Sequence, residues 1–259
     1  MLQAMARGRV DVKRRVNVLM DVWNKVIELW EESGGSLDRG DVIRILRDVY
    51  ERESIKPLKG ASNPADLYDK ELTSLYVVGK YGMGLDEQYP ELFDKIFRDE
   101  VKFESVVEVV HREPPERAAE KVKAILGDVS DNMLARILRL EMTKTFFGFT
   151  QRENFASLVK VLAKAFPDRV KTLENYARFY IAFRVAEAIA KGEVRDRIGK
   201  EALKHATALE LGLPDKRRLP DDKYISMIAE EVFGVPRRSL AEILSNTGRQ
   251  QSRVKTGST

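Results

Sequence analysis

The residues best suited to a reaction or to metal binding are scarce and poorly spaced in this sequence. The chain has no cysteine and two histidines, His111 and His205, so thiolate sites and histidine-rich metal sites are excluded. The acid pairs Asp221-Asp222 and Glu230-Glu231 are adjacent rather than facing, as expected of solvated surface. Gly79-Lys80-Tyr81 lacks the hydroxyl residue that follows the lysine of a P-loop. We therefore expect no enzymatic activity, no cofactor, no metal and no small-molecule substrate.

Positive charge lies at the two ends of the chain. Residues 1–15 have five basic residues and one acid, a net charge of +4, and residues 246–259 have three basic residues and no acid. The whole chain carries +4, so the residues between the ends carry −3, which is +4 less the +7 of the ends. Basic ends either keep a protein soluble or bind a polyanion such as nucleic acid, and both interpretations stay open.

Fifteen Arg and Lys residues are candidates for contacts with RNA phosphates. They come from the N-terminal end, a loop before Asn63-Pro64, a loop between Pro214 and Pro220, a C-terminal hairpin and the tail. For each of these five groups, the alternative to RNA binding is that the basic residues belong to an ordinary solvated surface. The residues are Arg7, Arg9, Lys13, Arg14, Arg15, Lys56, Lys59, Lys216, Arg217, Arg218, Arg237, Arg238, Arg249, Arg253 and Lys255.

The spacing of apolar residues is helical almost throughout. It predicts an all-α protein, a helical bundle of about ten to twelve helices with a C-terminal helix-turn-helix-like hairpin and basic terminal arms. The first helix is predicted from about Asp11 to Glu32 and the second from about Asp41 to Arg52, and Asn63-Pro64 predicts the start of the third. Ser130 is predicted to cap a further helix, and Thr150 to Glu153 has the spacing of a capping box. Residues 103–110 are β-branched enough for a strand, although no partner strand is evident.

Two features of the predicted helices bear on their packing. Ile198, Ala202, Leu203, Ala206 and Leu209 recur at helical spacing and predict a buried face. Phe146, Phe147 and Phe149 either stack on bases or fill the core, and core packing is the better prediction.

Pro114-Pro115 is the best candidate for a domain boundary. We predict a basic N-terminal arm over residues 1–15, helical subdomains over 16–113 and 114–245, and a basic flexible tail over 246–259. No apolar run is long enough to cross a membrane, so a cytoplasmic protein without membrane partners is expected. Charged residues make up 33% of the chain, which favours a thermophilic source.

Residues 225–244 resemble a helix-turn-helix. Gly234 occupies the turn, Leu240 an apolar position, and Arg237 and Arg238 open the second helix, which would enter a DNA groove. Glu230 stands where the motif has a small residue. An ordinary hairpin of two helices is therefore the preferred interpretation.

The stretch from Ile55 to Phe97 resembles a crenarchaeal family known only as a domain of unknown function. The residues that carry the resemblance are Asp21 to Trp23, Lys56-Pro57, Gly60, Pro64, Asp69-Lys70-Glu71, Leu75-Tyr76, Gly79-Lys80-Tyr81-Gly82 and Pro90-Glu91-Leu92-Phe93-Asp94. The resemblance implies no catalytic residue. We also associate this family with an archaeal ribosome hibernation factor that contacts both ribosomal subunits.

Three functions follow as hypotheses. The resemblance implies a cytoplasmic, ribosome-associated translation inhibitor that binds ribosomal RNA and ribosomal proteins of both subunits. The alternatives are a DNA-binding regulator that uses the hairpin of residues 225–244, and a non-catalytic scaffold that binds another protein.

Overall fold

The computed structural model describes residues 2–55, 57, 64–212, 219–236 and 240, with the backbone alone for residues 2–11, 64–70, 152, 170, 231 and 232. Its helices are α1 Leu2–Glu32, α2 Arg39–Arg52, α3 Pro64–Val77, a π-helix Val78–Gly82, α4 Leu85–Gln88, α5 Pro90–Ile96, α6 Arg98–Arg112, α7 Pro115–Leu126, α8 Asp131–Phe147, α9 Arg152–Ala165, a 3-10 turn Pro167–Arg169, α10 Val170–Lys191, α11 Arg197–Glu210 and α12 Asp222–Phe233. These residues contain twelve α-helices and no strand, which confirms the all-α prediction.

Local signals fix several helix ends. Helix α3 begins at Pro64 as predicted, and the Ser130 hydroxyl accepts a hydrogen bond from the Met133 N–H at the start of α8. The capping box predicted at Thr150 is wrong, because Gln151 precedes α9 without a side-chain cap and the Thr150 hydroxyl donates to Glu141 instead. Helix α1 begins at Leu2 rather than near Asp11, since Leu, Gln, Ala and Met favour helix there.

The contacts between Cα atoms divide the chain into two units. One consists of residues 12–176, and the other of residues 177–259 together with 1–11. Pro114 and Pro115 lie inside the first unit, where they separate α6 from α7. Helix α6 packs on α7, α8 and α9 across these prolines, and the two units divide near 176/177.

The core of the larger unit is built around Trp23 of α1. Its indole is fully buried and stacks on Phe93 at 5.3 Å between ring centroids, with Phe97 at 5.6 Å. The indole Nε1 donates a 2.7 Å hydrogen bond to the Leu75 carbonyl. At Gly79, in the π-helix, an added Cβ would lie 2.4 Å from the indole ring, so only glycine fits this close approach.

Two buried carboxylates form ion pairs that join helices of the same unit. Arg15 of α1 lies 3.2 Å from Glu71 of α3, and the Tyr50 hydroxyl of α2 donates to the other oxygen of that carboxylate at 2.9 Å. Glu100 of α6 pairs with Arg39 of α2 at 3.4 Å and with Arg136 of α8 at 3.3 Å. Because each carboxylate pairs with at least one arginine, the free-energy cost of burying its charge is offset.

The smaller unit has a separate apolar core. Residues of α10 and α12 and the turn after α12 build it, namely Ala182, Val185, Ala186, Ala188, Ile189, Val194, Ile225, Ile228, Ala229, Val235 and Leu240. After α12, Gly234 adopts φ 64°, and the Val235 N–H donates to the Ala229 carbonyl at 3.0 Å. The turn predicted at Gly234 is therefore present.

Helix α11 does not bury the face predicted from its sequence. Ile198 and Leu209 are 81% and 75% exposed, and Ala202 and Ala206 are exposed as well. The opposite face is buried instead, where Lys200 reaches Asp222 of α12 at 2.5 Å. The prediction fails because an ion pair, which leaves no trace in apolar spacing, sets the rotation of this helix.

None of the helices in the described ranges is both long and apolar enough to cross a membrane.

We expect Gly79→Ala to lower the free energy of unfolding by about 1–3 kcal/mol, the usual cost of overpacking, because the new Cβ would overlap the Trp23 ring. Gly82→Ala is the matched control in the same π-helix, since its Cβ would meet Phe149 at an ordinary 3.4 Å. Urea unfolding of the two variants measures the difference. Equal stability of both would contradict the packing described for Trp23.

Candidate nucleic-acid interface

The structure describes the side chains of three of the fifteen predicted RNA-binding residues. Lys13 and Arg14 are exposed on α1, and Arg14 donates a 2.6 Å hydrogen bond to the Glu53 carbonyl. Arg15 is 8% exposed and held by Glu71, so a contact with RNA would require this ion pair to open. Arg7 and Arg9 lie in the helical backbone of α1. The other ten lie outside the described residues: Lys56, Lys59, Lys216, Arg217, Arg218, Arg237, Arg238, Arg249, Arg253 and Lys255.

The N-terminal basic residues share one helix. Helix α1 runs without interruption from Leu2, so the backbone positions from Arg7 to Arg14 span about 10 Å at 1.5 Å per residue. The backbone of these four basic residues therefore lies along one continuous helix.

Four aromatic side chains form a half-exposed cluster in the larger unit, here called the aromatic cluster and made of Tyr81, Phe146, Phe147 and Phe149. Tyr81 and Phe149 stack with centroids 6.0 Å apart, and Phe147 meets Phe149 edge-on at 6.5 Å. Phe146 meets Phe147 edge-on at 5.1 Å. The prediction of core packing is therefore met only in part, since each ring keeps accessible surface.

Backbone geometry brings these rings together. Helix α8 ends at Gly148, whose φ of 80° favours glycine, and the Phe149 N–H then donates to the Lys144 carbonyl at 2.9 Å. This turn returns Phe149 towards Tyr81. Tyr81 itself is placed by the π-helix, a rare conformation that is frequent at functional sites.

A buried polar network supports the aromatic cluster from within the protein. Lys144 lies 2.7 Å from Glu104 and 3.2 Å from Glu141, and all three side chains are at least 95% buried. The Tyr81 hydroxyl donates a short hydrogen bond to Glu104. The Thr150 hydroxyl donates to Glu141 at 3.1 Å. Lys144 therefore compensates two carboxylates that belong to different helices, α6 and α8.

The network fixes both the position and the protonation of Tyr81. Burial raises the pKa of the Tyr81 phenol well above its usual value of 10, and the negative charge of Glu104 and its hydrogen bond raise it further. The Lys144 ammonium lies 4.9 Å from the centroid of the Tyr81 ring, within cation–π distance. Tyr81 therefore stays a neutral, oriented ring at neutral pH. Phe149, which stacks on Tyr81 and keeps accessible surface, is thereby held in a position where it can stack on an unpaired base.

Sequence reasoning missed this site for a physical reason. Lys144 and Glu104 are 40 positions apart and meet only after α6 packs on α8, so neither carries a local signal. The three phenylalanines, by contrast, lie close together in the sequence, and this clustering indicated either base stacking or core packing.

Among the described residues, no three His, Asp or Glu side chains are grouped so as to hold a metal ion.

A family model described as an uncharacterized protein conserved in archaea (DUF2192) matches residues 9–244. A search of curated proteins found no match, and a search of solved structures found none either. The matched region includes the π-helix and every member of the aromatic cluster and of the polar network beneath it.

We expect Lys144→Met to lower the free energy of unfolding by about 3–5 kcal/mol, because it leaves Glu104 and Glu141 buried without their shared counter-charge. Lys164→Met is the matched control, since its pair with Glu116 is solvent-exposed and worth little. Thermal unfolding of both variants at pH 7 measures the contrast. A Lys144→Met protein as stable as the Lys164→Met protein would show that the network does not support the fold.

The buried tyrosines predict a loss of stability at alkaline pH. The pKa values of Tyr50, Tyr76 and Tyr81 are all raised, chiefly by burial, whereas in the unfolded chain a tyrosine ionises near pH 10. The unfolded state therefore loses protons first, and the contribution is complete below about pH 10 and lost as the pH rises further.

The free energy of unfolding should fall steeply above pH 10, and the fall should be shallower in Tyr81→Phe. Denaturant unfolding between pH 8 and 11.5 measures this effect. An identical pH dependence in both proteins would contradict the environment described for Tyr81.

Proposed function

The chain belongs to this archaeal family, and we propose that it is a ribosome-binding translation inhibitor, a hibernation factor that contacts ribosomal RNA on both subunits. The observation that carries the proposal is the position of its charge: +4 in residues 1–15 and +3 in residues 246–259, against −3 between them. A protein that coats DNA would carry basic residues over a broad face. Two short basic ends suit separate contacts with a large polyanion.

The N-terminal contact would use the start of α1. Lys13 and Arg14 are exposed, and Arg7 and Arg9 precede them on the same helix. Each phosphate contact releases counter-ions, so binding should weaken as salt rises. Arg15 contributes differently, because its ion pair with Glu71 fastens the basic part of α1 to α3.

The aromatic cluster supplies a second kind of contact. Stacking on an aromatic ring needs an unpaired base, and single-stranded loops and bulges of RNA provide such bases. Tyr81 and Phe149 are held in place by Glu104 and by the turn at Gly148, so little conformational freedom would be lost on binding. The lysines near the cluster are already paired, Lys80 with Asp86 at 3.3 Å and Lys144 with Glu104 and Glu141. Attraction to phosphate would therefore come from the ends of the chain.

The likeness to an archaeal dual ribosomal subunit inhibitor adds the finer part of the proposal. Two basic ends and one stacking surface allow contacts with the RNA of both subunits and with ribosomal proteins beside them. Translation would then be inhibited because the protein occupies RNA sites of the ribosome, and such occupancy requires no catalytic residue.

A DNA-binding regulator is the second candidate, and the turn after α12 favours it. Gly234 turns the chain, and Val235 and Leu240 are buried at the positions where a helix-turn-helix buries apolar side chains. Arg237 and Arg238, which would face the groove, lie outside the described residues.

Sucrose gradients of cell lysate at low and high salt distinguish the two candidate functions. Co-migration with ribosomal particles supports the first, and a free protein that shifts promoter DNA supports the second.

We expect truncation before Asn246 to weaken ribosome binding and to relieve inhibition of translation, while the melting temperature stays nearly unchanged. Affinity falls as salt rises, and loss of Arg249, Arg253 and Lys255 should make this fall less steep by about 2–3 in log–log slope, at 0.7–0.9 for each phosphate contact. Co-sedimentation with purified ribosomes over a range of salt measures both quantities.

A full-length control keeps the tail but replaces its three basic residues with glutamine. It should lose binding as the truncation does, because charge and not length makes the contact. If the truncated protein binds and inhibits like the intact chain at every salt concentration, the tail has no role in ribosome binding.

A further inference from the structure

Helix α11 exposes its apolar face and buries its charged one. Ile198 is 81% exposed and Leu209 is 75% exposed, whereas Lys200 is 1% exposed and Lys204 is 8% exposed. Lys200 is held in this buried position by Asp222 of α12 and by Glu201. The ion pairs therefore fix the helix with its apolar side towards solvent, an arrangement that costs free energy unless a partner covers that side.

The exposed residues form one continuous stripe. At 100° per residue, Ile198, Ala202, His205, Ala206 and Leu209 fall within an arc of about 100°. The buried residues Lys200, Lys204, Thr207 and Ala208 occupy the opposite side. The stripe has a large aliphatic residue at each end and two alanines between them.

This order of sizes is self-complementary for two antiparallel copies of the helix. A two-fold axis beside the midpoint between Leu203 and Lys204 places Ile198 of one copy opposite Leu209 of the other. The same axis places Ala202 opposite His205. Each small alanine thus faces a larger polar side chain, and the helices pack at the usual separation of about 8–10 Å.

The polar side chains at the edge of the stripe are also complementary. Glu201 and His205 lie on the same edge of α11, with their side chains 4.0 Å apart within one copy, and Glu201 also pairs with Lys200 and Lys204. The antiparallel register brings Glu201 of one copy beside His205 of the other, and the reverse. A carboxylate, which accepts hydrogen bonds, therefore meets an imidazole, which can donate one, twice along that edge.

We propose that α11 is a self-association surface, on which the α11 stripe of a second copy of this chain packs antiparallel. A helix of 14 residues is about 21 Å long and buries less than the roughly 1,200 Å² typical of stable complexes. The dimer is accordingly weak, with a dissociation constant of about 10–100 µM. This inference stands independently of the proposed function.

Analytical ultracentrifugation of the full chain from 1 to 500 µM tests the surface. The sedimentation coefficient should rise with concentration in a monomer–dimer equilibrium, and Ile198→Glu should weaken the association at least tenfold. Leu29→Glu is the control, because Leu29 is a 40% exposed apolar residue of α1 and is not a member of the stripe. Circular dichroism verifies that both variants keep their helices. A chain that stays monomeric throughout, or a dimer that Ile198→Glu leaves intact, overturns the proposal.

The register has its own test, because the chain has no cysteine and a single introduced one is unique. Spin labels at Ala202→Cys should be close in the dimer, with an offset of about 4–5 Å along the helix, and labels at Ile198→Cys should be offset by about 16 Å. Equal separations at both positions would indicate a parallel pair and overturn the register. If instead the chain is monomeric and Ile198→Glu reduces ribosome binding, α11 docks on the ribosome and the self-association proposal is wrong.

Discussion

The contact of the Trp23 indole with the backbone at Gly79 constrains most of the larger unit. A Cβ at Gly79 would lie 2.4 Å from the ring, and the indole N–H is already committed to the Leu75 carbonyl one turn earlier. The aromatic residues Phe93 and Phe97 of the next helices close around the same ring. The path from α3 into the π-helix therefore depends on one tryptophan and one glycine.

This constraint connects the core to the surface. The π-helix begins beside the indole and ends at Gly82, so the position of Trp23 determines where Tyr81 emerges. Glu104 and Lys144 then hold Tyr81 from the interior, and Phe149 holds it on the accessible side. A residue fixed on both sides suits recognition more than flexible adjustment, and this rigidity is the link between the fold and the proposed contact with RNA bases.

Features encoded by neighbouring residues could be predicted from the sequence, and features encoded by distant partners could not. The helical class, the start of α3 at Pro64 and the cap at Ser130 depend on local spacing and on capping chemistry. The burial of Arg15 depends on Glu71, 56 positions away, so its sequence suggested only an exposed basic residue. Thr150 similarly donates to Glu141 and does not cap the backbone of α9.

The same distinction between neighbouring and distant residues applies to the candidate site. Its phenylalanines were visible as a cluster in the sequence, but the Glu104–Lys144 pair that organises them was not. In α11, apolar spacing correctly indicates a single apolar face, yet that face is exposed because the buried Lys200 pairs with the half-exposed Asp222 on the opposite side of the helix. Ion pairs between helices thus decide what the surface presents, and apolar periodicity alone does not contain them.

Ultraviolet cross-linking of the full chain to ribosomes, with identification of the joined peptides and RNA, tests the proposed function most directly. The account predicts RNA attached to peptides from residues 1–15, from 246–259 and from the segment containing Phe147 and Phe149, with RNA from both subunits. An absence of cross-links to ribosomal RNA, or cross-links confined to peptides outside these three regions, would contradict it.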